Sequence, residues 1–187
     1  MITYGIAFKI IILLIFIPFI IKSIKKKRSF GYHLVFLGFI GYIITLVGVL
    51  FFPIIYDKSV FINPEANNPS INIIPFNTVL SILENDPSTF IRQVLGNIII
   101  FIPMGFFLPV YISRLKRLKS CFFAVLSLTV IIELTQLLLD FILVKNYRCC
   151  DIDDVILNAI GGMIGYAIFS IVKRFYFRLS TKPPVSG

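Results

Sequence analysis

Two stretches of this sequence place ionisable side chains beside or inside strongly apolar runs, where charge is costly. NYRCCDIDDVILNAIGGMIG, residues 146–165, sets an arginine and three aspartates directly before an apolar stretch. ELTQ, residues 133–136, sets a glutamate within another. Hydrocarbon cannot solvate a charge, and a central acid costs about 2.5–3.5 kcal/mol on insertion scales, so such groups turn inward and pair. The sequence therefore predicts a polar site shared by two apolar helices.

The composition indicates that these helices span a membrane. Of the 187 residues, 58% are hydrophobic and 14% are charged, whereas a soluble domain carries roughly a quarter charged residues. A spanning helix needs about 20 mostly apolar residues. We predict an all-α fold: a polytopic membrane helix bundle of about five transmembrane helices plus a short interfacial amphipathic helix.

Apolar runs and breaker residues place the elements. The predicted spans cover about residues 4–21, 30–52, 87–111, 120–139 and 154–172. Asp86 has the character of an N-cap with Pro87 at the first helical position, and Pro103 with Gly105 is expected to kink the third span. The interfacial helix is predicted from apolar residues spaced i, i+3, i+4 and i+7, namely Phe76, Val79, Leu80 and Leu83.

The domain boundaries follow from these elements. Residues 1–56 are predicted to form two N-terminal transmembrane helices joined by a basic cytoplasmic loop, and residues 57–175 a core with three transmembrane helices. Residues 176–187 are expected to be a disordered cytoplasmic tail. The first apolar run has no preceding basic region and no small-residue cleavage site, so we expect a retained helix rather than a signal peptide.

The distribution of basic residues predicts the orientation. The segments 22–28, 114–119 and 173–182 hold thirteen of the eighteen Lys and Arg residues, and five spans place all three segments on one side. By the positive-inside rule this side is cytoplasmic, so the N-terminus is predicted to lie outside the cell membrane and the C-terminus inside. The net charge of +9 is thus attributed to loops that face anionic lipid, and membrane lipids rather than nucleic acid are the expected partners.

Helical spacing assembles the candidate ligand-binding site. Glu133 and Gln136 lie three apart on one face of the fourth span, with Asp140 one turn further. On the fifth span a polar stripe precedes a GxxxG pair that allows close helix approach. The predicted ligand-binding residues are Asn77, Asn97, Glu133, Gln136, Arg148, Asp151, Asp154 and Asn158. Arg148 is the natural cation to close over the carboxylates.

Structural explanations stand beside this one. Polar residues can simply hold helices together by hydrogen bonds. For Asn97 and Asn158 taken alone, this structural role is as good an explanation as ligand binding. A metal site formed by the aspartates and Glu133 is the weaker alternative, because the EF-hand spacing is absent, and no cofactor is expected. His33 is predicted to be an interface residue rather than a ligand. The three cysteines have neither zinc-site nor disulfide-framework spacing.

Four sequence blocks together resemble the VanZ-like family of bacterial membrane proteins. They are NIIPFN (72–77), GNIIIFIPMGFFLP (96–109), ELTQ (133–136) and RCCDIDDVILNAIGGMIG (148–165). The resemblance adds Phe101, Pro103, Gly105 and Gly165 as structural motif positions, and Gly161 joins them through its GxxxG spacing with Gly165. It implies a multi-spanning protein, and it links the name-giving member of the family to resistance against teicoplanin-type glycopeptides without a settled activity.

Three functional hypotheses follow. The first is a cell-envelope protein that lowers glycopeptide susceptibility through an outer-face polar pocket, which binds a lipid-linked cell-wall precursor or envelope polymer, with Arg148 gripping an anion. The second is an intramembrane enzyme that uses Glu133, Asp151 and Asp154 as candidate acid and base. The third is a proton-coupled carrier, which five spans without an internal repeat make a poorer match. The oligomeric state and any catalysed reaction are left open.

Overall fold

The computed structural model describes residues 5–52, 71–143 and 150–180. Predictions for Arg148, Cys149, the loop 53–70 and the tail 181–187 therefore lie outside the described residues. In chain order the elements are α1 (Ile6–Lys25), α2 (Phe30–Phe51), β1 (Ile71–Asn72), α3 (Asn77–Asn85), α4 (Pro87–Tyr111), a 3-10 helix (Ser113–Lys116), α5 (Leu118–Leu143), β2 (Cys150–Asp151) and α6 (Ile152–Ser180). The predicted all-α class is confirmed.

Five helices among the described residues are long and apolar enough to cross a membrane. They are α1, α2, α4, α5 and α6, each with an apolar window of mean hydropathy 2.0 or more. The number of spans agrees with the prediction, although α5 and α6 extend beyond the predicted ends. α3 coincides with the predicted amphipathic segment, and its position on the bilayer surface stays a prediction.

Polar caps explain where two of these helices begin. Ser29 accepts a hydrogen bond from the backbone N–H of Tyr32 at the start of α2. Asp86 caps α4 as predicted, accepting from the backbone N–H groups of Ser88 and Thr89 and from both hydroxyls. The hydrogen bonds from the Thr89 and Ser88 hydroxyls are the main reason that the pKa of Asp86 falls to about 2. The cap is therefore ionised throughout the physiological pH range.

The chain divides into two compact units. The first comprises residues 1–70 and 136–148, and the second comprises 71–135 and 149–187. In the first unit His33 joins α1 to α2, because one ring nitrogen contacts the backbone oxygen of Ser29 at 3.0 Å and the other contacts the Ser23 hydroxyl at 2.9 Å. A carbonyl can only accept, so the ring nitrogen next to Ser29 carries the proton. His33 therefore has a structural role in this unit.

In the second unit α4 and α6 pack against each other over much of their length. Glycines allow the short distance between the two helix backbones. A Cβ atom on Gly161 would overlap the backbone carbonyl of Ile98, and one on Gly165 would overlap that of Ile102. On the opposing helix, a Cβ atom on Gly105 would overlap the carbonyl of Gly162. Small residues allow such close backbone approach between membrane helices, so the two spans are in direct main-chain contact.

We expect Gly161→Ala to destabilise the protein, because the new methyl group must push α4 away from α6. Overpacking of this kind costs about 1–3 kcal/mol. Gly96→Ala is the matched control, since Gly96 lies within α4, the partner helix, and a Cβ atom there would have nothing within 4 Å. Thermal unfolding in detergent should show a lower midpoint for Gly161→Ala alone. Equal midpoints for both variants would contradict the close approach.

Candidate functional site

A short parallel pairing brings the segment before α3 to the segment before α6. β1 pairs with β2 in the register Ile71 to Cys150 and Asn72 to Asp151. The Asn72 amide donates to the Asp151 carboxylate at 2.8 Å and to the Thr78 hydroxyl at 2.9 Å. Sequence reasoning missed Asn72, although it opens the NIIPFN block. Asparagine and aspartate thus join two chain segments that are far apart in sequence.

Asp151 is the N-cap of α6. Its carboxylate accepts a hydrogen bond from the backbone N–H of Asp153 at 2.9 Å, the N-cap geometry that satisfies one of the free donors in the first turn. Its own N–H donates to Glu133 on α5 at 3.2 Å. Both side chains are buried, with 2% of Asp151 and 4% of Glu133 exposed. Glu133 therefore holds the start of α6 against α5.

Asp153 caps a different helix, α3. Its two carboxylate oxygens accept from the backbone N–H groups of Phe76 at 2.5 Å and Val79 at 3.1 Å. Phe76 has φ 66° and ψ 2°, a left-handed conformation that costs a bulky residue about 1–3 kcal/mol unless its surroundings hold it in place. The fully buried Asp153, which is 1% exposed, provides that restraint. Its carboxylate is engaged by backbone and is structural.

Asp154 differs from Asp151 and Asp153 because its side chain stays partly accessible. It is half-buried, as are its partners Gln93 and Asn97 on α4. Its carboxylate accepts a hydrogen bond from the Asn97 amide, together with a long contact of 3.5 Å from the Gln93 amide. Gln93 was not predicted, although it lies four residues before Asn97 on the same helix face. One carboxylate and two amides thus form a polar patch between α4 and α6.

Asn158 extends this patch toward the glycines. Asp154, Asn158, Gly161 and Gly165 follow one face of α6 at i, i+4, i+7 and i+11. Asn158 is only 2% exposed, and its side-chain oxygen has no hydrogen-bond partner among the described residues. Buried polar atoms are nearly always satisfied, so this oxygen is an exception on the helix face that carries Asp154.

The other predicted residues have different surroundings. Gln136 donates to the backbone carbonyl of Leu50 at 2.9 Å in the first unit, so it satisfies a carbonyl at the C-terminal end of α2, where intrahelical partners are lacking. Asp140, in the same unit, is buried. Asn77 is the first residue of α3, and within the described residues it is Asn72 that contacts Asp151. Phe101 is fully buried in α4, and the helix continues through Pro103.

An apolar groove of about 630 Å³ lies on another face of α6. It is lined from α5 by Phe122 and Leu126 and from α6 by residues that include Val155, Ala159 and Met163. Residues 156, 160, 163 and 167 of this lining have the helical spacing of a face opposite to Asp154 and Asn158. The groove is therefore separate from the polar patch. Among the described residues, no group of three His, Cys, Asp or Glu side chains is placed to hold a metal ion.

Comparison with known proteins agrees with this architecture. The family model described as VanZ/LLP1 matches residues 39–173. Protein VanZ from Enterococcus faecium is 32% identical over 135 residues, which is 71% of this chain and 71% of that protein. The chain belongs to the VanZ/LLP1 family, which confirms the resemblance seen in the four sequence blocks, and family and apolar helices together fit a membrane protein. No solved structure matches the chain.

We expect Asp153→Asn to destabilise the fold and Asp154→Asn to leave it nearly unchanged. The first substitution removes a carboxylate that accepts two backbone hydrogen bonds, and such bonds to a charged group contribute about 1.5–3 kcal/mol each. The second keeps an acceptor for Asn97 and removes a partly buried charge. Urea unfolding of the two isosteric variants measures the difference. Similar losses for both would refute the division between structural and accessible acids.

Proposed function

We propose that this protein lowers bacterial susceptibility to teicoplanin-type glycopeptides through an outer-face polar pocket that binds a lipid-linked or cell-wall group. Membership of the VanZ/LLP1 family supports the envelope role, since the resemblance links the name-giving member to teicoplanin resistance. A relative that is 32% identical supports the same assignment. The pocket is the polar patch formed by Gln93, Asn97, Asp154 and Asn158.

The half-buried state of Asp154 is the observation that carries this proposal. Asp151 and Asp153 act as helix caps and are almost fully buried. Within the described residues, the hydrogen bonds of Asp154 come from side-chain amides. Carboxylate and amide groups bind the hydroxyl, amide and ammonium groups that glycans and peptides present. Among the described residues, the side-chain oxygen of Asn158 on the same helix face has no hydrogen-bond partner, which supports it as a second acceptor in the proposed pocket.

Arg148 and Glu133 complete the proposed pocket. Arg148 precedes Asp151 by three residues, and its guanidinium would bind a phosphate or carboxylate of the ligand by paired hydrogen bonds. Glu133 fixes the start of α6 through the Asp151 N–H and so positions the segment that follows Arg148. Its role in binding is therefore one of support.

The geometry favours binding over acid–base catalysis. A two-carboxylate mechanism requires two acids free to exchange protons with a substrate. Asp151 and Asp153 are each bonded to backbone N–H groups that begin a helix, so protonating either one would disrupt a cap. Of the three aspartates at the start of α6, Asp154 is the one that remains partly accessible, which suits recognition of a polar group better than a shared proton transfer.

Drug susceptibility of a strain with and without this chain tests the proposed function. We expect the chain to raise the minimal inhibitory concentration of teicoplanin several-fold, and Asp154→Asn to remove most of that protection at unchanged membrane abundance. Glu84→Gln is the matched control, because Glu84 is an exposed acid on α3 and its loss changes the charge equally. Full protection by Asp154→Asn, or none by the unaltered chain, would count against the proposal.

The same proposal requires the N-terminus outside and the C-terminus in the cytoplasm, so that the start of α6 faces out. A variant without native cysteines should react with a membrane-impermeant maleimide on intact cells when it carries Glu84→Cys. With Lys119→Cys it should react only after permeabilisation. Native Cys121 is unsuitable as a reporter because it is fully buried. The opposite labelling pattern would place the polar pocket on the cytoplasmic face.

A further inference from the structure

A polar cavity lies at the C-terminal end of α4, where the chain turns into α5. It has a volume of about 450 Å³ and is lined by Ser113, Arg114, Arg117 and Ser120. Lys116 and Lys119 belong to the same segment but do not line it. The four lining side chains offer only cationic and hydroxyl groups to a ligand. This cationic site therefore differs in chemistry from the polar patch around Asp154.

Hydrogen bonds fix the backbone that carries these side chains. The 3-10 helix begins with a bond from the Leu115 N–H to the Ile112 carbonyl at 2.9 Å. At its end the Tyr166 hydroxyl of α6 donates to the Lys116 carbonyl at 2.9 Å. Arg114 lies between these two anchors and Arg117 directly follows them. The backbone from which the lining side chains extend is therefore held by hydrogen bonds within the fold.

Among the described residues, no acidic side chain lines this cavity. The sequence contains no Asp or Glu between Asp86 and Glu133, and none after Asp154 or before Asp57. Of the acids that remain, those of the second unit lie in α3, before α4, in α5 at Glu133 or at the start of α6. Two guanidinium groups that line one cavity attract an anion and repel a cation. The described part of the chain supplies no such anion from the lining of the cavity.

We propose that this cavity binds the phosphate of an anionic lipid headgroup. Arginine matches the oxygen geometry of phosphate by paired hydrogen bonds, and the two serine hydroxyls can donate to the remaining oxygens. The cavity lies where two spans end, which is headgroup depth. Ile112 and Leu118, which flank it in sequence, are 45% and 57% exposed and suit contact with the acyl chains of the same lipid. This inference is independent of the proposed function at Asp154.

Binding can be measured on the purified full-length protein in detergent. The thermal midpoint is recorded during titration with phosphatidylglycerol, with phosphatidylcholine of the same acyl chains, and with inorganic phosphate. We expect phosphatidylglycerol to raise the midpoint and phosphatidylcholine to have little effect. In Arg114→Ala/Arg117→Ala the apparent affinity should fall about tenfold or more, as loss of charge-assisted hydrogen bonds implies. Lys116→Ala/Lys119→Ala, with the same change in net charge, should lose less than about threefold.

The outcomes separate the alternatives. Equal losses in the two alanine variants would overturn the proposal and make the loop a diffuse basic surface. Arg114→Lys/Arg117→Lys keeps the charge and remains usable if the alanine variant does not fold; undiminished lipid affinity there would refute paired arginine recognition. A further outcome is that inorganic phosphate raises the thermal midpoint as much as phosphatidylglycerol does and loses this effect in the arginine variant. That result would show that the site binds free phosphate and would refute the lipid headgroup as the ligand. A response to phosphatidylcholine equal to that of phosphatidylglycerol would exclude recognition of the anion.

Discussion

A carboxylate buried near hydrocarbon must be supplied with hydrogen-bond donors, and this requirement organises the second unit. Helix N-termini are the richest supply, because their first backbone N–H groups have no partner within the helix. Asp151 takes a donor from the first turn of α6, and Asp153 takes two from the start of α3. Acidic residues in the first turn also complement the positive end of the helix dipole. The acids therefore determine where both helices begin and how β1 meets β2.

The same constraint assigns different roles to neighbouring acids. Asp151 and Asp153 accept hydrogen bonds from backbone N–H groups and are buried. Asp154 contacts amide side chains on α4 and stays half-buried. The close packing of α4 on α6 continues from this point through the glycines. A polar patch at one end of a tightly packed helix pair is thus held in place without help from flexible side chains. Preorganisation of this kind reduces the cost of ordering a site upon binding.

Hydrophobic runs, caps and spacing were sufficient to predict the spans, the Asp86 cap and the face shared by Asp154 and Asn158. These features are local, because each depends on residues within one helix. The role of Asp153 was not predictable in this way, since its partners Phe76 and Val79 lie 77 and 74 residues earlier. Gln136 contacts the backbone carbonyl of Leu50, which lies 86 residues earlier. Every residue type has a backbone carbonyl, so the sequence does not mark Leu50 as the partner. Asn72 and Gln93 were missed for the same reason, although both lie close to residues that were identified.

The capping of α3 by Asp153 has a consequence for biogenesis. A chain enters the membrane from its N-terminus onward, so α3 leaves the ribosome long before the residue that caps it. Until α6 arrives, Phe76 has no acceptor to hold its left-handed backbone, and the short α3 lacks the bond that begins it. The α6 helix therefore holds the start of α3 in place, and a chain whose synthesis stops before residue 153 lacks the carboxylate that accepts from Phe76 and Val79.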